Sequence, residues 1–362
     1  MKRFALAGVA AVVAASVFAM AAGPAPAPVR VGTAAVASQP AQPKTRKTEQ
    51  MRGFSLQMWV TPPATEPEAV EKYMKAIDEI ADMGCTWINL PISARTENIH
   101  AESIYIDWKL IPSEASLKRI MAKAKSRGMG VMMMPMVLLN NSGSKDWRGV
   151  IDPPNWDLWF ASYATYIIYV AQLAQAGDVD IFCVGSELLS TEPFKERWGD
   201  VIQQIRKVYK GKLTYSANWD HYSSVTFWDQ LDYIGMNNYN ELGDKGNSVE
   251  KLVENWKPIK KNILDFAAKQ KKPFMFTEVG WHNLDNTIKE PWNYVAQGSI
   301  DHNEQLHAYQ SFVQTWKDVP KDQFMGAFIW EWYPGQKPED KGAYSLQGTE
   351  ALKVVQEWFK MP

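Results

Sequence analysis

Two of the chain's short apolar runs end in a glutamate. The run 179–188 (VDIFCVGSEL) brings Glu187 in behind Val184-Gly185-Ser186, and the run 273–281 (PFMFTEVGW) places Glu278 ahead of Val279-Gly280-Trp281. A carboxyl group where a buried strand meets its loop can reach a bound substrate. Two of them across a sugar-sized gap can break a glycosidic bond: one, protonated, donates to the leaving oxygen, while the other attacks the anomeric carbon or activates water. With 40 acidic residues in the chain, either glutamate alone could be a loop-side ion-pair partner; the two in the same register are what point to chemistry.

The ends of the other apolar runs add aromatic rings and amides. They are Trp59, Asn218-Trp219, Asn237-Asn238-Tyr239, Trp281, and Trp330-Glu331-Trp332, drawn from a total of 16 Trp. A sugar presents flat C–H faces rimmed by hydroxyls, so its site calls for aromatic platforms interleaved with amides and carboxylates. Trp87, Trp256, Trp316 and Trp358 fall early in a run or inside helical patterns and are expected to pack the core. The five histidines, His100, His221, His282, His302 and His307, form no H-x-H pair, so a metal-dependent hydrolase is disfavoured and neither metal nor cofactor is expected. His221 and His282 follow rim tryptophans and are candidates to touch substrate. No G-x-S-x-G elbow is present, and Cys85 and Cys183 read as small buried hydrophobes rather than nucleophiles.

The elements that must hold these groups alternate. Apolar runs recur at 53–60, 86–93, 130–139, 179–188, 213–219, 233–239, 273–281 and 326–333. Amphipathic patterns lie between and after them, at 68–84, 115–128, 159–177, 195–209, 249–270, 302–316 and 349–359. Near-continuous apolar strands imply a parallel sheet covered on both faces. Eight such strand-and-helix units over residues 50–362 predict an α/β fold of the (β/α)8 TIM-barrel type, whose active site gathers at the C-terminal strand ends. The open doubly wound alternative lacks its Gly-rich phosphate turn.

The N-terminal region reads as an address. Residues 1–22 (MKRFALAGVAAVVAASVFAMAA) have Lys2-Arg3 ahead of an Ala/Val-rich run and a small-residue cleavage pattern, which predicts a signal peptide and a secreted or periplasmic protein without stable membrane insertion after cleavage. Residues 23–49 are Pro/Ala-rich and aperiodic, as in a linker. Across the 362 residues, 39 Lys+Arg against 40 Asp+Glu give a net charge of −1, which leaves no electrostatic case for nucleic acid as partner.

Together these segments resemble glycoside hydrolase family 113, a branch of the retaining (β/α)8 glycosidases. The likeness runs in order through Asp146-Trp147-Arg148-Gly149, the stretch 159–190, LTYSANW (213–219), FWDQLDYIGMNNY (227–239), PFMFTEVGW (273–281) and GAFIWEWYPG (326–335). The resemblance implies Glu187 as general acid/base and Glu278 as nucleophile of a double displacement, with Glu187 holding the higher pKa. It further implies that Tyr239 orients the nucleophile, that Trp330 floors the cleaved sugar's subsite, and that Arg148 and Asn218 help hold hydroxyls. Trp59, Trp219 and Trp281 complete the expected substrate-binding set. The family's activity, endo-cleavage of β-1,4-mannans, makes a β-linked polysaccharide or oligosaccharide the expected substrate; the alternative is a non-catalytic carbohydrate-binding relative. This chain departs from the family in two places: Ser186 stands where Asn usually precedes the acid/base, and Met134-Pro135-Met136-Val137-Leu138 replaces a Lys-Pro-His-Val-Asp pattern. Asn140 and Asn141, just beyond, are candidates to replace the lost hydrogen bonds.

Overall fold

The computed structural model describes residues 50–361, so the expected signal peptide and linker lie outside the described residues. Eight strands, β1 (Met51–Leu56), β2 (Trp87–Thr96), β3 (Gly130–Leu139), β4 (Ile181–Ser186), β5 (Lys212–Ala217), β6 (Ile234–Asn238), β7 (Phe274–Val279) and β8 (Phe324–Trp332), pair in parallel and in order. β8 returns to β1 and closes the barrel. At that seam Gly326 has φ +126°, and a Cβ there would lie 1.9 Å from the Met51 carbonyl oxygen, so only glycine lets the two strands meet.

The helices are α1 (Glu66–Asp82), α2 (Glu114–Ser126), α3 (Trp156–Ala176), α4 (Lys195–Val208), α5 (Val249–Gln270), α6 (His302–Trp316) and α7 (Glu350–Lys360). Their starts follow local chemistry. Thr65 and Glu68 form a capping box on α1, and the side chains of Ser113, Asn155, Ser248, Asp301 and Thr349 cap α2, α3, α5, α6 and α7. One strand-and-helix unit differs from expectation. Among the described residues, β5 and β6 are joined only by a loop and the short turn Trp228–Gln230, because residues 218–233 carry no helical periodicity. The buried rings of Phe227 and Trp228 cover the barrel there instead.

Two cores result. One lies between barrel and helices and takes the outward strand residues together with Trp159, Trp198, Trp256, Trp316 and Trp358. The other fills the barrel's interior, where Met51, Trp87, Met132, Ile181, Met275 and Phe328 pack together. Another set of inward residues is polar or sulfur-bearing. Asn89 donates to Ser55 at 2.9 Å, the hydroxyls of Ser216 and Thr277 are bonded at 2.6 Å, and Met134, Met136 and Cys183 cluster against Trp330. Both cysteines are free and buried, and burial pushes the Cys183 thiol up to about 12.

Candidate active site

Strand irregularities place both glutamates. The pairing of β4 with β5 shifts register between Cys183 and Ser186, immediately before Glu187. The pairing of β7 with β8 shifts between Phe276 and Val279, across Glu278. Bulges of this kind re-aim side chains at barrel rims. Glu187 also takes φ +52°, the left-handed region that a side-chain-bearing residue adopts only when its surroundings hold it there. Here the Glu187 N–H donates to the Ser216 carbonyl at 2.9 Å, and the Leu188 N–H donates to the Tyr215 hydroxyl at 2.8 Å. Tyr215 in turn donates to Glu192 at 2.9 Å. Glu192 is buried, and desolvation raises its carboxyl to about 7.

The Glu187 carboxylate is held from two sides. The Arg148 guanidinium, from the turn Arg148–Val150 after β3, pairs with Oε2, and the Asn237 amide at the end of β6 donates to Oε1. Asn237 also donates to Asn218 Oδ1 at 3.0 Å and accepts the Trp219 N–H at 2.8 Å, so one amide ties together the ends of β4, β5 and β6. Asn218 donates onward to Asp220, which also bonds exposed His221. The surroundings of Glu278 are sparser. Tyr239 donates to Oε2 at 2.8 Å, whereas Oε1 is buried without a protein donor. Tyr344, from the loop before α7, packs edge-on against Tyr239.

Burial raises both carboxyls. Glu278 is pushed up to about 8, first by desolvation and then by the charge of Glu187, with Arg148 and the Tyr239 hydroxyl pulling it down. Glu187 is also raised by desolvation, with Arg148 opposing and Asp220 adding to the rise. Each therefore feels the same cation, and the two carboxyls lie within electrostatic reach of one another. Arg148 sits on Glu187, favouring its carboxylate and opposing the rise that burial imposes. A third carboxyl, Glu331, joins them: desolvation raises it to about 7, and Gln57 bonds it. Gln57 also accepts the Trp59 indole N–H at 3.1 Å, and Arg95 lies over the Trp59 ring at 5.6 Å.

Of the expected residues, the structure brings Trp59, Arg148, Glu187, Asn218, Trp219, Tyr239, Glu278 and Trp330 to the barrel's C-terminal mouth. Trp330 rests on Met134, Met136 and Cys183, so two of the three apolar residues of the altered β3 end serve as its underlay. Trp281 is a correction. It is fully buried against Tyr309 and Phe312 of α6, because two residues beyond outward-facing Val279 it shares that residue's face. Trp332 likewise packs into the outer core against Phe54. His282 is buried beneath Tyr344, where burial lowers its pKa, and it is not placed to meet a sugar. Asn140 and Asn141 donate to Glu97 on the rim. Asn237 is among the strand-end amides the sequence offers, and the structure makes it the link between Glu187, Asn218 and Trp219. Sequence reasoning gave no role to Gln57, Glu192, Tyr215 or Tyr344, each of which acts through at least one partner more than 20 residues away.

The family model for Glycoside Hydrolase Family 113 matches residues 64–348. A solved GH113 β-1,4-mannanase complex is similar at 22% identity and TM-score 0.76, covering 87% of this chain and 100% of that one. The GH113 β-mannanase of Alicyclobacillus acidocaldarius is similar at 24% identity and TM-score 0.76, covering 86% and 97%. A Faecalibacterium prausnitzii β-glucuronidase shares the fold at 15% identity and TM-score 0.56, covering 87% of this chain and 49% of its own. No curated protein matches the chain in sequence.

Proposed function

Because this chain belongs to glycoside hydrolase family 113 and is a glycoside hydrolase, we propose that it works by double displacement with retention, Glu278 as nucleophile and Glu187 as general acid/base. The observation that carries this reading is the pair itself: two buried carboxyls at the ends of β4 and β7, Glu278 sensing the charge of Glu187 and both sensing Arg148. In the first step a Glu278 oxygen bonds to the anomeric carbon, the glycosidic C–O bond breaks, and Glu187 gives its proton to the leaving oxygen. In the second, Glu187 takes a proton from the water that attacks the same carbon, and the Glu278 ester is released.

The reaction needs the proton on Glu187 at the moment of attack, whereas Arg148, paired with Glu187, favours its carboxylate. In our reading Arg148 turns from Glu187 to a substrate hydroxyl as the sugar enters. Losing that cation favours the protonated form of Glu187 and leaves Glu278 the one to ionise. Trp330 floors the reacting sugar on its sulfur underlay, and Asn218, Trp59 and Trp219 line the cleft around it.

The proposed substrate is a β-linked polysaccharide or oligosaccharide, β-1,4-mannan first, since the two similar family 113 structures are named as mannanases. The apolar β3 end argues that the set of hydroxyl contacts differs from theirs. With residues 1–22 as an export signal, the enzyme would meet its polymer outside the cytoplasm, and the N-terminus of the mature secreted protein tests that step. The mechanism is tested by Glu278→Ala. Turnover should vanish, and azide or formate should partly restore it with inverted anomeric configuration by NMR. Retained activity in that variant would sink the assignment.

A further inference from the structure

The long loop after β7, residues 280–301, holds an aromatic feature that the reaction itself does not use. Trp292 stacks on Trp219 with ring centroids 5.6 Å apart and planes at 27°, yet 38% of it stays exposed. A pair serving only to rivet the loop to the rim would bury its rings. This one leaves more than a third of Trp292 open to solvent. The loop tip continues with Tyr294 at 75% and Val295 at 68% exposure.

The loop's base is firmly held. Leu284 bridges Ile300, the Asp285 N–H donates to the Ser299 carbonyl at 2.8 Å, and the Glu304 carboxylate accepts the N–H groups of Asn286 and Ile288. The Tyr344 hydroxyl donates to the Pro291 carbonyl, one residue before Trp292, and Tyr344 also packs on Tyr239, the partner of Glu278. From the other side, Trp219 is fixed by the Asn237 amide that also donates to Glu187. The indole pair is therefore positioned from both carboxylate corners. Through Asn237, Trp219 is one amide away from Glu187, the corner where a general acid meets the leaving group.

We propose that Trp219 and Trp292 form a preformed platform for a sugar ring in the leaving-group half of the substrate. The inference rests on the assignment of Glu187 as general acid. Its chemistry is generic: a pyranose C–H face against an indole face, with no demand on the pattern of hydroxyls. A stacking platform suits a polymer whose distal units vary, whereas hydrogen-bond readout would reject variants.

The test compares Trp292→Ala and Trp292→Phe, each in the Glu278→Ala background, by titrating β-1,4-mannohexaose and cellohexaose. The Ala variant should bind the better of the two ligands about tenfold more weakly than the Glu278→Ala parent, and the Phe variant should recover most of the loss. In the active enzyme, mannohexaose labelled with 18O at the reducing end should be cut nearer that end once Trp292 is Ala, because leaving-side affinity is lost. Equal affinities with and without Trp292, or an unchanged cleavage pattern alongside a lowered Tm, would overturn the platform and leave a loop rivet. Failure of the wild type to cleave any β-linked oligosaccharide would instead strike the parent reading, with the binding comparison still readable.

Discussion

The two carboxylate corners of the mouth are built by opposite means. Around Glu187 the chain gathers donors: a guanidinium, an amide shared among three strand ends, and a backbone turn braced by Tyr215 and Glu192. Around Glu278 it supplies one phenol hydroxyl, leaves the other oxygen without a protein donor, and surrounds the group with Tyr239, Tyr344 and a neighbouring carboxyl. The difference matches two jobs. A group that exchanges a proton twice per turnover benefits from partners that can stabilise either state, whereas a group that forms a bond to carbon needs one oxygen free and a fixed aim. Proton placement therefore belongs to the Glu187 corner, and trajectory belongs to the Glu278 corner.

The strongest way to break this contrast is Glu187→Ala. Turnover of a natural oligosaccharide should fall about 10²–10⁴-fold, the usual span for a general acid, while a dinitrophenyl glycoside should lose far less in its first step. Azide should then yield product of retained configuration, opposite to the outcome at Glu278, and identical stereochemistry from the two variants would erase the distinction. Arg148→Gln comes next, with about a hundredfold loss in kcat/KM. Because Arg148 lowers both pKa values, its removal should shift both limbs of the pH–rate profile to higher pH; unmoved limbs would separate Arg148 from proton placement. Tyr239→Phe should cost roughly tenfold. It removes a bond that favours ionised Glu278, so the acidic limb should move up while the basic limb stays where it is.

The smallest effect tests the brace. Glu192 is raised from 4.5 to about 7 in the folded protein, so the stability it contributes is complete below about pH 4.5 and is lost as pH rises through 7. Glu192→Gln keeps an acceptor for Tyr215 and abolishes the titration. Thermal unfolding should find it equal to wild type near pH 4.5 and more stable by on the order of 1–3 kcal/mol at pH 8. A difference independent of pH would show that the brace acts by packing alone.

How much of this was legible in the sequence follows from range. Apolar runs and helical period located the eight strands and seven helices of the described residues within a few residues, since both are local signals, and α6 and α5 match their expected spans end to end. The two glutamates were visible because the barrel fixes where strand ends go. Which way a rim tryptophan faces was not visible. Trp281 and Trp332 turn outward, and the register shifts in β7 and β8 that set this depend on neighbouring strands rather than on the residues themselves. Arg148 and Asn237 meet Glu187 across 39 and 50 positions of chain, and Trp219 meets Trp292 across 73, distances over which no periodicity carries information.

The sulfur underlay of Trp330 bears on how this mouth can evolve. Met134 and Met136 have unbranched, polarisable side chains, and with Cys183 they form a yielding bed beneath a rigid plate. Exchanging or tilting the plate requires those thioethers only to change rotamer, at the modest cost typical of volume-conserving repacking. A polar floor would instead have to re-pair every donor and acceptor at once. With thioethers and a thiol beneath Trp330, a change of the plate leaves no charged group to re-pair, and the two glutamates need not move with it.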